Sequence, residues 1–150
     1  MENDLTTDVT FKSLGLTQSL QDGLDEAGFT HCTPIQAATL PLALQGRDVA
    51  GQAQTGTGKS AAFLLATMHY LMETPVEEDK LGPWAIMLAP TRELALQIHK
   101  DAEQLGRFTG LNCVAVYGGT GYEQQRRALQ SETDIIIGTP GRIIDFYKQK

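Results

Sequence analysis

Ala53-Gln54-Thr55-Gly56-Thr57-Gly58-Lys59-Ser60 follows the short apolar run Asp48-Val49-Ala50-Gly51-Gln52 and precedes a helix-forming segment, Ala61 to Met72. The order strand, glycine-rich turn, Gly-Lys-Ser, helix is that of a phosphate-binding loop. Gly56 and Gly58 permit the backbone conformations that turn successive N–H groups onto phosphate oxygens, and the following helix aims its positive dipole end at the same point. Lys59 is then placed to reach the outer phosphates, and Ser60 to offer its hydroxyl to a Mg²⁺ ion bridging them. Ala53 stands where the general pattern of such loops has its first glycine.

At 150 residues the chain has one domain's worth of sequence and can bury about two-thirds of its unfolded surface. A content of 41% hydrophobic and 20% charged residues is ordinary for a soluble globular protein, and no repeat is visible. The start, Met1-Glu2-Asn3-Asp4, is acidic, and no apolar run reaches membrane-spanning length, so neither a signal peptide nor a transmembrane helix is expected and the setting reads as cytoplasmic. Cys32 and Cys113 are isolated and lack metal-ligand spacing, which fits inert thiols in a reducing compartment. A net charge of −6 excludes a protein that coats nucleic acid through a broad cationic face; any such contact has to be local.

Outward from the loop toward the start, residues 1–10 are polar and expected to be loose. Phe11 and Leu14 introduce a helix with Leu16, Leu20, Leu24 and Ala27 on one face, with Thr17 or Ser19 as a cap, ended by Gly28. In Thr33-Pro34-Ile35-Gln36, Thr33 suits an N-cap and Pro34 the first helical position. Thr33 and Gln36 also form a capping box, in which Gln36 satisfies the Thr33 N–H. This helix is expected to be interrupted at Pro41, resume through Leu42 and Leu44, and stop at Gly46.

Toward the other end, Glu73 to Pro83 reads as a solvated loop and Trp84 to Ala89 as a strand. Thr91-Arg92-Glu93 opens a helix with Leu94, Ile98, Ala102 and Leu105 on one face. Asn112 to Tyr117 is the next strand, followed by Gly118-Gly119 and a polar helix carrying Arg126 and Arg127. Asp134 to Gly138 makes a fourth strand, and Thr139-Pro140-Gly141-Arg142 leads into an amphipathic segment with Ile143, Ile144 and Phe146. Apolar strands alternating with helices indicate parallel βαβ units, hence an α/β fold. Residues 53–58, 90–91, 118–121 and 139–141 then follow strand C-terminal ends, which a parallel sheet gathers on one edge as a composite site.

Taken together, these stretches resemble the first RecA-like domain of the DEAD-box RNA helicases, from about Phe11 to the end of the chain. The resemblance implies a parallel-sheet RecA-like P-loop fold with helices on both faces, incomplete at the C-terminus: a tail over residues 1–10 and a partial domain over 11–150. Ala53 is normal in that family's phosphate loop, so Ala53, Gln54, Thr55, Gly56, Thr57, Gly58, Lys59 and Ser60 become the implied ATP site, with Mg²⁺ at Ser60. Gly28-Phe29 with Thr33-Pro34-Ile35-Gln36 resembles the adenine-reading Q motif, with Phe11 at the upstream position that packs on the base. The Gln36 amide can pair with both the N6 donor and the N7 acceptor of adenine, which guanine does not match. Cys32 replaces a proline common in the family. Pro90-Thr91-Arg92-Glu93-Leu94-Ala95, Gly118-Gly119 and Thr139-Pro140-Gly141-Arg142 resemble the RNA-contacting motifs. Loop N–H groups, hydroxyls and helix N-termini hold a sugar–phosphate backbone without reading bases, so an acidic protein can bind RNA. Arg92 and Arg142 either touch phosphate or orient the loops.

The Q-motif region is closest to a bacterial branch that works with RNA-degrading assemblies. The chain reaches Lys150 without an Asp-Glu-Ala-Asp motif or a second domain, so the resemblance implies that these residues alone bind nucleotide without turning it over, and that a hydrophobic sheet edge is left bare. Two other readings compete: a different P-loop ATPase such as a DNA helicase or a small-molecule kinase, and a non-catalytic nucleotide- or RNA-binding module.

Overall fold

The computed structural model describes residues 6–74, 82–119 and 121–149. The expected loop from Glu73 to Pro83 therefore lies mostly outside the described residues. The described chain forms two compact units: one holds the residues up to 74 together with Gln104–Thr109, the other those from 82 to 103 and from 110 onward.

In the first unit the residues expected as a loose tail are partly pinned. The Thr7 N–H donates to the Cys32 carbonyl at 2.8 Å, the Cys32 N–H to that of Val9 at 2.8 Å and the Phe11 N–H to that of Thr30 at 3.1 Å. A proline in place of Cys32 would forfeit the second of these bonds. A 3-10 turn, Phe11–Leu14, and helix α1, Gln18–Ala27, follow. Thr17 occupies the N-cap position of α1, but its hydroxyl contacts the Met72 sulfur at 3.5 Å instead of capping, while Gly28 closes the helix at φ 78°. Gly23 is required by close packing: a Cβ there would lie 2.2 Å from the Leu105 carbonyl oxygen.

Helix α2, Pro34–Ala43, runs through Pro41 without interruption, contrary to the expectation from sequence. Proline costs the helix only its own N–H bond when the ladder resumes beyond it; here the Leu44 N–H donates to Leu40 O at 2.9 Å. Helix α3, Lys59–Glu73, is the helix expected after the phosphate loop. Asp48 to Gln52, expected as a strand, forms no strand among the described residues. It instead packs on α2, where a Cβ at Gly51 would touch Thr39 and Ile35 at 3.3 and 3.4 Å. Leu20, Leu24, Leu40, Leu64, Leu65 and Met68 are buried.

The second unit holds a parallel sheet of three strands, β1 Ala85–Leu88, β2 Cys113–Val116 and β3 Ile135–Gly138, in the order β1-β3-β2. Ile135, Ile136, Ile137 and Gly138 pair on both sides, which suits a continuous apolar run for the central strand. Gly138 has no alternative: a Cβ would lie 2.1 Å from the Val116 carbonyl oxygen. Helices α4, Arg92–Leu105, α5, Tyr122–Leu129, and α6, Pro140–Lys148, each begin after a strand. The buried stripe of α4 is Ala95, Ile98, Ala102 and Leu105; Leu94, placed on that face from sequence, is exposed. The spacing 95, 98, 102, 105 is the true helical stripe, and Leu94 lies one residue, about 100°, off it. The α/β parallel architecture stands, with three strands among the described residues where four were expected.

Candidate nucleotide and nucleic-acid sites

The first unit carries the glycine-rich loop that the sequence marks as a candidate phosphate loop. Gly56 and Gly58 lie at φ 80° and 89°, the left-handed region that glycine enters without strain, and Gly58 is the N-cap of α3. The Thr57 hydroxyl donates to the Gln54 carbonyl at 2.7 Å and closes the turn. Lys59 folds back across the loop: its ammonium donates to the carbonyl of Ala53 and, at 2.9 Å, to that of Gln54. Ser60 follows as the second residue of α3, while Ala53 and Gln54 supply these carbonyls and Thr55 is exposed.

Helix α2 braces this loop through two side chains. The Thr33 hydroxyl donates to the Thr57 carbonyl at 2.7 Å. Gln36, buried at 6% exposure, accepts the Thr33 N–H on Oε1 at 2.9 Å and donates from Nε2 to the Gly58 carbonyl at 3.1 Å. The capping box expected of Thr33 and Gln36 thus forms, and the same amide also holds Gly58, the N-cap of α3. An amide has two acceptor and two donor places, and these bonds use one of each.

The two aromatic candidates separate. Phe11 is enclosed at 2% exposure, since its backbone is tied to Thr30 and its ring joins the core, so it shows no open face on which a base could stack. Phe29 is exposed at 48%.

In the second unit the strand register aligns Leu88, Gly138 and Val116, so the segments after β1, β3 and β2 leave one edge of the sheet. Pro90, Thr91 and Arg92, Gly118 and Gly119, and Thr139, Pro140, Gly141 and Arg142 therefore come together there, with the N-termini of α4, α5 and α6 beside them. Such termini present free N–H groups and a positive dipole end to an anion. The fourth expected loop, residues 53–58, belongs to the first unit and follows no strand of this sheet.

The side chains of this edge are engaged with one another. The Thr91 hydroxyl accepts the Leu94 N–H at 3.2 Å and caps α4, whereas Thr139 stands at the N-cap of α6 without a side-chain cap bond. The Arg92 guanidinium lies 5.0 Å over the Tyr117 ring, and Arg142 lies 5.2 Å over Tyr122 and donates to Gln125 Oε1 at 3.1 Å. In the sequence Tyr117 reads only as the end of a strand, and Gln125 is one polar residue on the helix that carries Arg126 and Arg127. The only signal was a glutamine in the first turns of a helix otherwise solvated.

The family assignment rests on sequence similarity. Residues 33–150 match the family described as DEAD/DEAH box helicase. The chain belongs to that family. Its helicase relatives include an ATP-dependent RNA helicase RhlB from Xanthomonas oryzae pv. oryzae, 57% identical over 99% of this chain and 26% of the relative. An ATP-dependent RNA helicase RhlB from Pseudoalteromonas atlantica is 54% identical over 99% of this chain and 35% of its own length. Among solved structures, the ADP-bound RNA helicase Prp28 from Chaetomium thermophilum superposes with a TM-score of 0.85 at 39% identity, covering 97% of this chain and 35% of that one. The chain thus spans about a quarter to a third of the length of these DEAD/DEAH box relatives.

Burial pushes the Cys32 thiol up, and burial together with the nearby carboxylates of Asp134 and Glu103 pushes the Cys113 thiol up to about 11. Neither is a nucleophile at neutral pH. No group of three His, Cys, Asp or Glu side chains placed to hold a metal occurs among the described residues. None of the described helices is long and apolar enough to cross a membrane.

Proposed function

We propose that this chain supplies the ATP-binding elements and part of the RNA-binding surface of an ATP-dependent RNA helicase. The observation that carries the reading is the Gln36 amide on the Gly58 carbonyl, which ties a candidate base-reading group to the N-cap of the helix that follows the glycine-rich loop. Gly56, Gly58 and the start of α3 would cradle the phosphates, Lys59 would exchange its loop carbonyls for phosphate oxygens, and Gln36 would offer its remaining donor and acceptor to adenine. Ser60 would offer its hydroxyl oxygen to a Mg²⁺ ion that accompanies the nucleotide. When bound, that ion neutralises charge on the phosphates.

The strand-end loops after β1, β2 and β3 would hold an RNA backbone through N–H groups and helix N-termini, so binding is independent of base sequence. On the resemblance to the branch that works with RNA-degrading assemblies, such an assembly in the cytoplasm is the setting we favour. Residues 1–150 by themselves would bind nucleotide without turnover, because ground-state binding gives no acceleration unless the transition state is held more tightly.

The test is RNA-stimulated ATP hydrolysis and duplex separation in a full-length helicase context that contains this chain, beside Lys59→Ala in the same context. Loss of both activities in the variant is expected. Unwinding at the unaltered rate would end the phosphate-loop reading, and equal stimulation by DNA would favour a DNA helicase.

A further inference from the structure

Gln125 is buried at 7% exposure on a helix whose neighbouring residues Gln124, Arg126 and Arg127 are exposed. Its Oε1 accepts two hydrogen bonds, from the Tyr117 N–H at 3.0 Å and from Arg142 Nη1 at 3.1 Å. Both partners can only donate, so the atom between them has to be the amide oxygen and the side chain's orientation is fixed by its surroundings. Tyr117 carries the Arg92 guanidinium over its ring, and Arg142 covers Tyr122 and Phe146, whose rings stack at 4.8 Å. Arg92 on the Tyr117 ring, the Tyr117 backbone N–H on Gln125, and Gln125 on Arg142 make one line. That line joins the starts of α4 and α6 to the loop after β2.

We propose that Gln125 is a positioning residue that holds these three loops as one platform, so that their contacts to a single nucleic-acid backbone form together. The proposal rests on the RNA-contact reading of the loops. Loops that order independently each lose conformational freedom on binding; loops already tied to a shared buried oxygen lose little, and the strand meets a prepared surface. Gln125 acts through Tyr117 and Arg142 and does not itself touch RNA. Part of the Arg142 guanidinium is correspondingly committed inside the protein, to Gln125 and to two rings.

The experiment compares Gln125→Met, which keeps the length and removes the acceptor, with Gln125→Glu, which keeps the acceptor and faces Arg142 with a negative charge. Labelled oligouridylate binding is measured on the full chain, together with hydrogen exchange at the Tyr117 amide, which needs no RNA. Gln125→Met removes both bonds accepted by Oε1 and is expected to bind about tenfold more weakly, with faster Tyr117 exchange. Gln125→Glu is expected to stay within about twofold of the unaltered chain, an effect too small to signal a lost bond. Should the methionine variant fail to fold, Gln125→Asn withdraws the oxygen from both donors and gives the same comparison. Unchanged RNA affinity beside faster Tyr117 exchange would overturn the proposal, as would a glutamate variant as weak as the methionine one, which would mark a packing role only. Absence of RNA binding by the unaltered chain, with the Tyr117 amide protected as expected, would instead overturn the RNA-contact reading and the platform with it.

Discussion

The side-chain amide of Gln36 and the backbone carbonyl of Gly58 are joined by a 3.1 Å hydrogen bond, although 22 residues separate them in the chain. Gly58 accepts it while its own carbonyl also begins the α3 ladder by accepting the Ala62 N–H at 3.1 Å. The segment that would read a base and the segment that would hold phosphate therefore share one oxygen. A disturbance of either is transmitted to the other.

Gly58→Ala tests that coupling. The backbone there is at φ 89°, and an added Cβ would lie 2.3 Å from Gln36 Nε2. Left-handed backbone costs a non-glycine residue about 1–2 kcal/mol, and the amide has to leave its place. Expected are a loss of stability of at least that size in denaturant melts and loss of nucleotide binding by calorimetry. A variant that binds nucleotide normally would show that the Gln36 link is dispensable.

Gln36→Ala separates its two roles. Removing Oε1 leaves the Thr33 N–H without its partner, a cost of about 1 kcal/mol. If the amide also reads adenine, the preference for ATP over GTP falls as well. Competition binding with the two nucleotides is the measurement; a less stable variant with its preference intact would leave Gln36 as a cap alone.

Sheet exposure leads to a third expectation. Ile86 and Leu88, two residues apart on one face of the edge strand β1, are 55% and 62% exposed. Burying each against a second copy would gain about 1.5–3 kcal/mol, so residues 1–150 should self-associate. Light scattering is expected to show a larger species at high concentration that Ile86→Lys with Leu88→Lys returns toward a monomer. A monomer throughout would refute the edge as adhesive.

Cys113 makes a prediction about pH. Its thiol, ordinarily near 9.0, is raised to about 11 in the fold, so the native state holds its proton between those values while the unfolded chain has lost it. Stability is then full below about 9 and falls as pH rises toward 11. Denaturant melts across that window should show the decline, and Cys113→Ala should flatten it. Alkylation of Cys113 at pH 8 should also be slower than that of a free thiol.

Much of this molecule was legible in its sequence because the signals were local. Periodicity located α3 and α4, apolar runs located three strands to within a residue or two, and Thr33-Pro34 marked the start of α2. Where local rules compete with surroundings they failed. Pro41 did not break α2, because the next turn restored the ladder; Thr17 did not cap α1 with its hydroxyl, because Met72 offered another contact.

Sequence by itself determined the parallel α/β class, the glycine-rich turn ahead of α3 and the three strand-end loops, since glycines at turns and alternating apolar runs encode backbone geometry residue by residue. Tertiary structure alone decided what the side chains do there. Gln36 reaches Gly58, Phe11 turns inward, Lys59 lies on its own loop, and Gln125 joins Tyr117 to Arg142. Each of these depends on atoms brought together from distant positions or on one rotamer chosen among several, and neither spacing nor composition encodes that choice.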